Sequence, residues 1–379
     1  MFYLDRAATT PVRREVLEAM WPYLTGTFGN PSSTHGVGDA AARGLADARA
    51  AVARVLGCRP AEVVFTTGGT EGANTAVKGM ALASPRGRHV VTSAIEHEAV
   101  FESCRYLERF HGFEVTVLPV DALGVVDPSA LRAALRPDTT LVSIAHADNE
   151  IGTVQDVRAL AAVAHEVGAR FHTDAVQSAP WLPIGLDELG VDALSLSGHK
   201  VGAPKGTGVL AIRSGVALEP LLHGGGQERG RRSGTEDVAG AVAVATALTL
   251  LAATRSESAA RATATRDAVL DGVLAAVPGA FVTGSRTARL PGHASFCFPG
   301  VNGETVLLEL EQRDVVSSSG SACAAGSTEA SHVLTALGLS DEVARTALRL
   351  TFDATLVGEQ VQVVVQAVVE AVRAVRSLA

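Results

Sequence analysis

From about residue 60 to residue 213 the chain alternates short β-branched runs with stretches of helical periodicity. The runs at 62–67, 88–93, 114–120, 140–145, 170–173, 193–197 and 208–213 read as strands, and several lack polar alternation. Strands that are apolar on both faces and separated by helices pair mostly in parallel and are covered on both sides. The expected fold is therefore α/β, with a large, doubly wound, mostly parallel sheet. In such sheets ligands sit outside the carboxyl ends of the strands, so residues just after strands deserve the closest reading.

At 379 residues the chain is longer than one core usually supports. After Thr235 its texture changes. Two alanine-rich helical patterns, 236–253 and 257–277, lead into strands at 280–284 and 293–299, a helix at 304–312, and strands near Val315 and at 347–352. A last helix from Gly358 puts Val361, Val364, Val365, Val368, Val372 and Val375 on one face. We expect a large domain over 12–255 and a smaller α+β domain formed by 1–11 and 256–379, joined by a continuous helix near residue 255.

Hydrophobic residues make up 47% of the chain but aromatics only 4%, which suits helices packed closely on a sheet. The net charge of −8, with no long basic run, argues against nucleic acid or an anionic membrane as the main partner. Arg229, Arg231 and Arg232 are the one local exception, and they suit a solvated turn or an ion-pair site. The first residues lack the basic and apolar regions of a signal peptide, and no uncharged apolar stretch reaches about 20 residues, so neither secretion nor a membrane span is expected. Cys58, Cys104, Cys297 and Cys323 are scattered without a C-x-x-C pair, which argues against a zinc site or a disulfide framework and for a reducing cytoplasm.

Lysine is scarce: Lys78, Lys200 and Lys205 are the only three. Lys200 ends Ser197-Gly198-His199-Lys200, just before a second glycine-rich turn at 202–208. Lysine, unlike arginine, can form a Schiff base with an aldehyde. Gly68-Gly69-Thr70 lies between a strand and a helix, where backbone N–H groups and a hydroxyl can bind phosphate or simply cap a tight turn. It is not a nucleotide-binding P-loop.

Asp174 follows a strand, where it can protonate a pyridine nitrogen or cap a helix, and Gln177 follows one turn later. His97 follows another strand, as a ring-stacking or acid–base group or as a cap. Cys323 sits among eleven consecutive small residues, 317–327, which cannot build a packed core segment, so its thiol is a candidate nucleophile. Arg349, charged within an apolar strand, suits either a carboxylate anchor or a structural ion pair.

In order, the strings YLDRAATTPV, GTFGNPSSTH, VFTTGGTEGAN, SAIEHEAV, NEIGTVQD, HTDAVQS, LSGHK, HGGGQERGRRSGT, SSSGSACAAGS and SHVLTALGL span nearly the whole chain. Together they resemble the pyridoxal-phosphate-dependent cysteine desulfurases, of fold type I and the class-V aminotransferase superfamily. The resemblance implies that Lys200 holds pyridoxal 5′-phosphate, that Gly69, Thr70, Ser197 and His199 bind its phosphate, and that Thr235 reaches the phosphate of a neighbouring subunit in a homodimer. It further implies that Asp174 partners the pyridine nitrogen, Gln177 and Asn149 lie near the ring oxygen and substrate, His97 stacks on the ring, and Arg349 anchors the substrate carboxylate.

By the same resemblance Cys323 takes sulfur from L-cysteine as a persulfide and passes it to an acceptor protein, in iron–sulfur cluster assembly or a thiolation pathway. Other readings of the motifs are a selenocysteine lyase, another class-V aminotransferase, or an inactive partner in a sulfur-transfer complex. Departures from the family pattern are Arg6 after Asp5, Asp148 before Asn149, Thr351-Phe352-Asp353-Ala354-Thr355 after Arg349, and an end at Ala379 without a longer tail.

Overall fold

The computed structural model describes residues 1–83, 86–320 and 330–378. After β1 (Phe2–Tyr3), the next seven strands form one sheet: β2 (Val63–Thr66), β3 (His89–Ser93), β4 (Glu114–Leu118), β5 (Thr139–Ser143), β6 (Arg170–Asp174), β7 (Ala193–Ser197) and β8 (Gly208–Ile212). Their spatial order is β2-β8-β7-β6-β5-β3-β4. All neighbours are parallel except β8, which runs antiparallel to both β2 and β7. Every residue of β3, β5, β7 and β8 is buried, as strands covered on both faces require, whereas the edge strand β4 has exposed positions.

A second core gathers Leu4, Val269, Phe296, Leu310, Leu350, Val364, Val368 and Val372 around a smaller sheet. That sheet is β12 (Ala347–Thr351), β10 (His293–Cys297) and β9 (Phe281–Val282), all antiparallel, while β11 (Val315–Val316) pairs with β1. The valine face of the C-terminal helix Glu359–Arg376 is buried against this core.

The two alanine-rich patterns are one helix, Val238–Ala276. Its buried residues lie at 238–251 and 262–273, and the intervening stretch is mostly exposed as it passes between the two cores. The continuous helix expected near residue 255 is therefore present, and its exposed middle is the link between the two cores. The helix is long and apolar enough in composition to cross a bilayer, but 56% of its most apolar window is buried, and it packs on the helices Gly36–Val55, Arg14–Thr25 and Glu359–Arg376.

The N-terminal segment binds the halves together near the sheet's carboxyl edge. The N-terminal strap runs along β12, with Thr351 N donating to Leu4 O (2.7 Å) and Arg6 N to Thr351 O (3.1 Å). It then turns to the large sheet, where Thr10 N donates to His199 O (2.9 Å) and Arg13 N to Gly202 O (3.0 Å). The segment leading to Thr235 is fixed by Glu228, whose carboxylate forms a two-pronged, buried ion pair with Arg49, both contacts at 2.6 Å. Glu228 and Arg229 have positive φ (49° and 59°), a conformation disfavoured for side chains bearing Cβ, and the ion pair holds it.

Replacing Arg49 with Met leaves Glu228 buried without its counter-ion, a change that costs about 3–5 kcal/mol. Urea denaturation should show a correspondingly lower midpoint for Arg49→Met. An unchanged midpoint would contradict the structural weight given to the pair.

Candidate active site

The parallel strands deliver the chemically apt side chains to one edge. Asp174 is the last residue of β6, and Lys200 ends the 3-10 turn Gly198–Lys200 that follows β7. His97 follows β3 and caps the helix Glu98–His111, its Nδ1 accepting from Ala99 N at 3.0 Å. Here the capping role and a position near Asp174 coexist. The Asp174 carboxyl is raised above its ordinary range by burial, and the charges of His97 and Lys200 pull it back down. Asp174 also accepts from Val176 N at 2.9 Å, so it serves its own turn as well.

Lys200 Nζ donates to the carbonyls of Ala7 and Ala8, the latter at 2.7 Å. Gln177 Nε2 donates to the same Ala7 carbonyl at 3.0 Å. The strap therefore shapes the lysine's surroundings as well as joining the cores.

The glycine turn meets the other strand ends. Gly69 begins the helix Gly69–Ala83, with Thr70 exposed in its first turn. A Cβ added at Gly69 would lie 2.7 Å from Val176 Cγ2 and 3.4 Å from Ser197 Cβ, so only glycine lets the helix start so close to both residues. Gly208 plays the same part opposite, since its Cβ would fall 2.6 Å from Gly68 Cα. His199 Nδ1 contacts Thr9 Oγ1 at 3.0 Å, and burial, with Lys200 and Lys205 beside it, pushes its imidazole down to about 4. It is a neutral hydrogen-bonding group at neutral pH. Thr235 is exposed, and Arg232 in the same segment pairs with Glu71 of the glycine-turn helix at 3.0 Å.

Arg349 is 2% exposed and pairs with Asp5 at 2.8 Å. Its Nη1 donates to Asn149 O (2.9 Å) and Gly320 O (3.1 Å). In this structure it therefore makes the ion pair that the sequence left open. Among the described residues its Nε has no hydrogen-bond partner, which leaves a buried donor for an incoming acceptor. Asn149 is held at its carbonyl by Arg349 and by His293 Nε2 (3.3 Å). Cys323 lies outside the described residues.

Sequence reasoning did not single out Asp5, Glu96 or His293. Asp5 carried a signal, as a lone carboxylate after the apolar Phe2-Tyr3-Leu4, matching the lone cation of β12. Glu96 is fully buried, accepts from Ser93 Oγ and Ala145 N, and is pushed up to about 8 by burial. In the sequence nothing local marks its burial.

The donor set fits pyridoxal phosphate. An amine stands near a buried carboxylate suited to a pyridinium nitrogen, and a helix start, two hydroxyls and a neutral imidazole suit a phosphate. The chain matches the class-V aminotransferase family over residues 2–364 and belongs to it. Pyridoxal phosphate is that family's cofactor.

Within the family its relatives are cysteine desulfurases. One named cysteine desulfurase IscS, from Dictyoglomus turgidum, is 47% identical over 92% of this chain and 89% of its own length. Another of that name, from Methanosarcina thermophila, is 45% identical over 99% of this chain and 93% of its own. Among solved structures, a NifS-like protein superposes with a TM-score of 0.90 at 36% identity, covering 97% of this chain and 98% of that one. A structure of SspA in complex with cysteine gives 0.81 at 38% identity, covering 93% and 99%.

Asp148, one of the departures from the family pattern, yields a pH test. Burial and the neighbouring Glu150 push its carboxyl up to about 7, against hydrogen bonds from Ile151 N and Glu150 N and the charge of Arg349. Arg289 also feels its charge. Oδ1 accepts both N–H groups, while Oδ2 is buried without a partner among the described residues. The folded state therefore holds the proton more tightly than the unfolded chain, whose carboxyl titrates near 4. The ionisation penalty is absent below about 4, grows as pH rises, and is complete above about 7. Asp148→Asn should raise the thermal midpoint most at pH 8, with the gain shrinking toward pH 5. Equal gains at both values would contradict a buried, reluctantly ionised Asp148.

Proposed function

We infer that the chain acts as a cysteine desulfurase, converting L-cysteine to L-alanine, with Lys200 holding the cofactor and Cys323 receiving the sulfur. Its main support within the fold is the buried Asp174 carboxylate, set in the fields of His97 and Lys200 at the sheet's carboxyl edge. Membership of the class-V family and the likeness to cysteine desulfurases along nearly the whole chain support it from outside.

Pyridoxal phosphate, when bound, supplies an electron sink for the substrate's Cα. Thr70, Ser197, His199 and the helix start at Gly69 hold its phosphate. Thr235, exposed on a braced segment, reaches the phosphate of a second subunit, which makes the working form a homodimer. Asp174 would keep the pyridine nitrogen protonated, Gln177 and Asn149 would orient the ring oxygen and the substrate, and His97 would lie against the ring and handle protons there. Lys200 Nζ would hold the cofactor and would be the base placed to take the substrate's Cα proton. Arg349 turns its buried guanidinium to the substrate carboxylate, exchanging part of its present bonding to Asp5 and Gly320.

Cys323 Sγ then attacks the substrate sulfur. A sulfur–sulfur bond forms, the substrate's carbon–sulfur bond breaks, and its electron pair stays with carbon, which leaves as alanine after protonation. The persulfide is available to an acceptor protein in iron–sulfur cluster assembly or a thiolation pathway. The two cores support a division into 12–255 and 1–11 with 256–379, which puts Arg349 and Cys323 on the smaller unit and the cofactor residues on the larger. We place the protein in the cytoplasm, where thiols such as Cys58, Cys104 and Cys297 stay reduced.

Cys323→Ser should keep the cofactor's visible absorbance yet lose more than about 100-fold of its sulfide and alanine release from cysteine, as expected when a covalent nucleophile is removed. Lys200→Ala should lose the Schiff-base absorbance and turnover together. Undiminished turnover in Cys323→Ser would overturn the persulfide assignment.

A further inference from the structure

Two departures from the family pattern, distant in sequence, meet in the fold: Arg6 Nη2 and Asp353 Oδ2 are 2.6 Å apart. Arg6 lies on the N-terminal strap, and Asp353 follows β12 by two residues. The residues from Asp5 to Ala8 link β12 to Lys200 bond by bond. Asp5 pairs with Arg349, Ala7 N donates to Thr351 Oγ1 (2.8 Å), and the Ala7 and Ala8 carbonyls receive Lys200 Nζ. Arg6 adds a side-chain tie to the same end of β12, one residue before the first of those carbonyls.

The strap is not fixed by packing alone. Arg6, Ala7, Gln177, Lys200 and Asp353 all border one cavity of about 450 Å³ between the two cores. The strap's backbone is held by hydrogen bonds to β12 and to the turn after β7, and where it borders the cavity the Arg6–Asp353 contact is added to them. The directional ion pair adds a side-chain constraint to those backbone bonds.

We propose that Arg6 and Asp353 are a positioning pair, setting the place of the Ala7 and Ala8 carbonyls and through them the amine of Lys200. The proposal rests on the reading of Lys200 as the cofactor-holding residue. Neither side chain takes part in the chemistry. Their side chains are 27% and 34% exposed, so the pair adds little to global stability and is weakened by salt. Its loss should displace the amine without unfolding the chain.

The test is the rate at which cofactor-free protein, mixed with pyridoxal phosphate, develops the visible band of the lysine adduct. It is measured with the thermal midpoint for wild type, Arg6→Ala, Asp353→Ala and the charge-exchanged double variant Arg6→Asp/Asp353→Arg. Each single variant should load roughly three- to tenfold more slowly, the scale on which a misplaced reacting group is felt. Midpoints should stay within about 3 °C of wild type. The exchanged pair should recover loading to within about twofold, since attraction across the gap is restored in the opposite sense.

Single variants that load at the wild-type rate, or an exchanged pair no faster than the singles, would overturn the proposal, as would slow loading accompanied by a large fall in midpoint. A visible band that survives Lys200→Ala would instead refute the reading of Lys200 itself, a different and separately visible failure.

Discussion

The common direction of β3, β5, β6 and β7 is the constraint on which the site depends. Parallel strands end on the same side, so the residues that follow them converge there without any local instruction to do so. His97, Asn149, Asp174 and Lys200 come from separate parts of the chain and meet because of this. The reversed strand β8 contributes by its start: Gly208 stands level with Thr66 and Ser197 and leaves room for the turn at Gly68. Aliphatic side chains supply most of the sheet's packing, and the polar groups that bear on the site lie at its carboxyl edge.

Those polar groups are held from two sides. In a low-dielectric interior a charged group needs an opposite charge or hydrogen-bond partners, acceptors in the case of a cation. Arg349, from the smaller core, meets Asp5 of the strap and the carbonyl of Asn149, which follows a strand of the larger sheet. Lys200, from the larger sheet, meets carbonyls of the strap. Chemistry and the joining of the cores thus rely on the same few bonds. Substrate carboxylate at Arg349 would compete with bonds that now connect the halves, which gives substrate binding a route to the relative placement of strap and core.

What could be read from sequence was whatever leaves a local mark. Strand runs without polar alternation, glycines at strand–helix turns, and a lysine in a chain that otherwise uses arginine each leave one, and the sheet and the edge residues were legible through them. The helix Val238–Ala276 shows two apolar patterns because its middle is exposed where it passes between the cores, and their junction near residue 255 was legible as continuous helix. The pairs Arg349–Asp5 and Arg6–Asp353 join residues hundreds of positions apart, and a lone charge does not announce its partner. Asp148 was visible as a departure, but its reluctance to ionise depends on burial among Glu150, Arg289 and Arg349. Cys323 was legible only through its small-residue surroundings, and it lies outside the described residues.

The proposed reaction passes sulfur from cysteine directly to Cys323 and depends on Lys200 for the cofactor and the Cα proton, and mass analysis of the protein after brief exposure to L-cysteine without reductant tests it most directly. The account predicts a mass gain of one sulfur atom, located on the peptide that contains Cys323 and absent when Lys200 is replaced by Ala. A protein that turns over cysteine while Cys323 never gains sulfur, or one that gains it equally without Lys200, would contradict it.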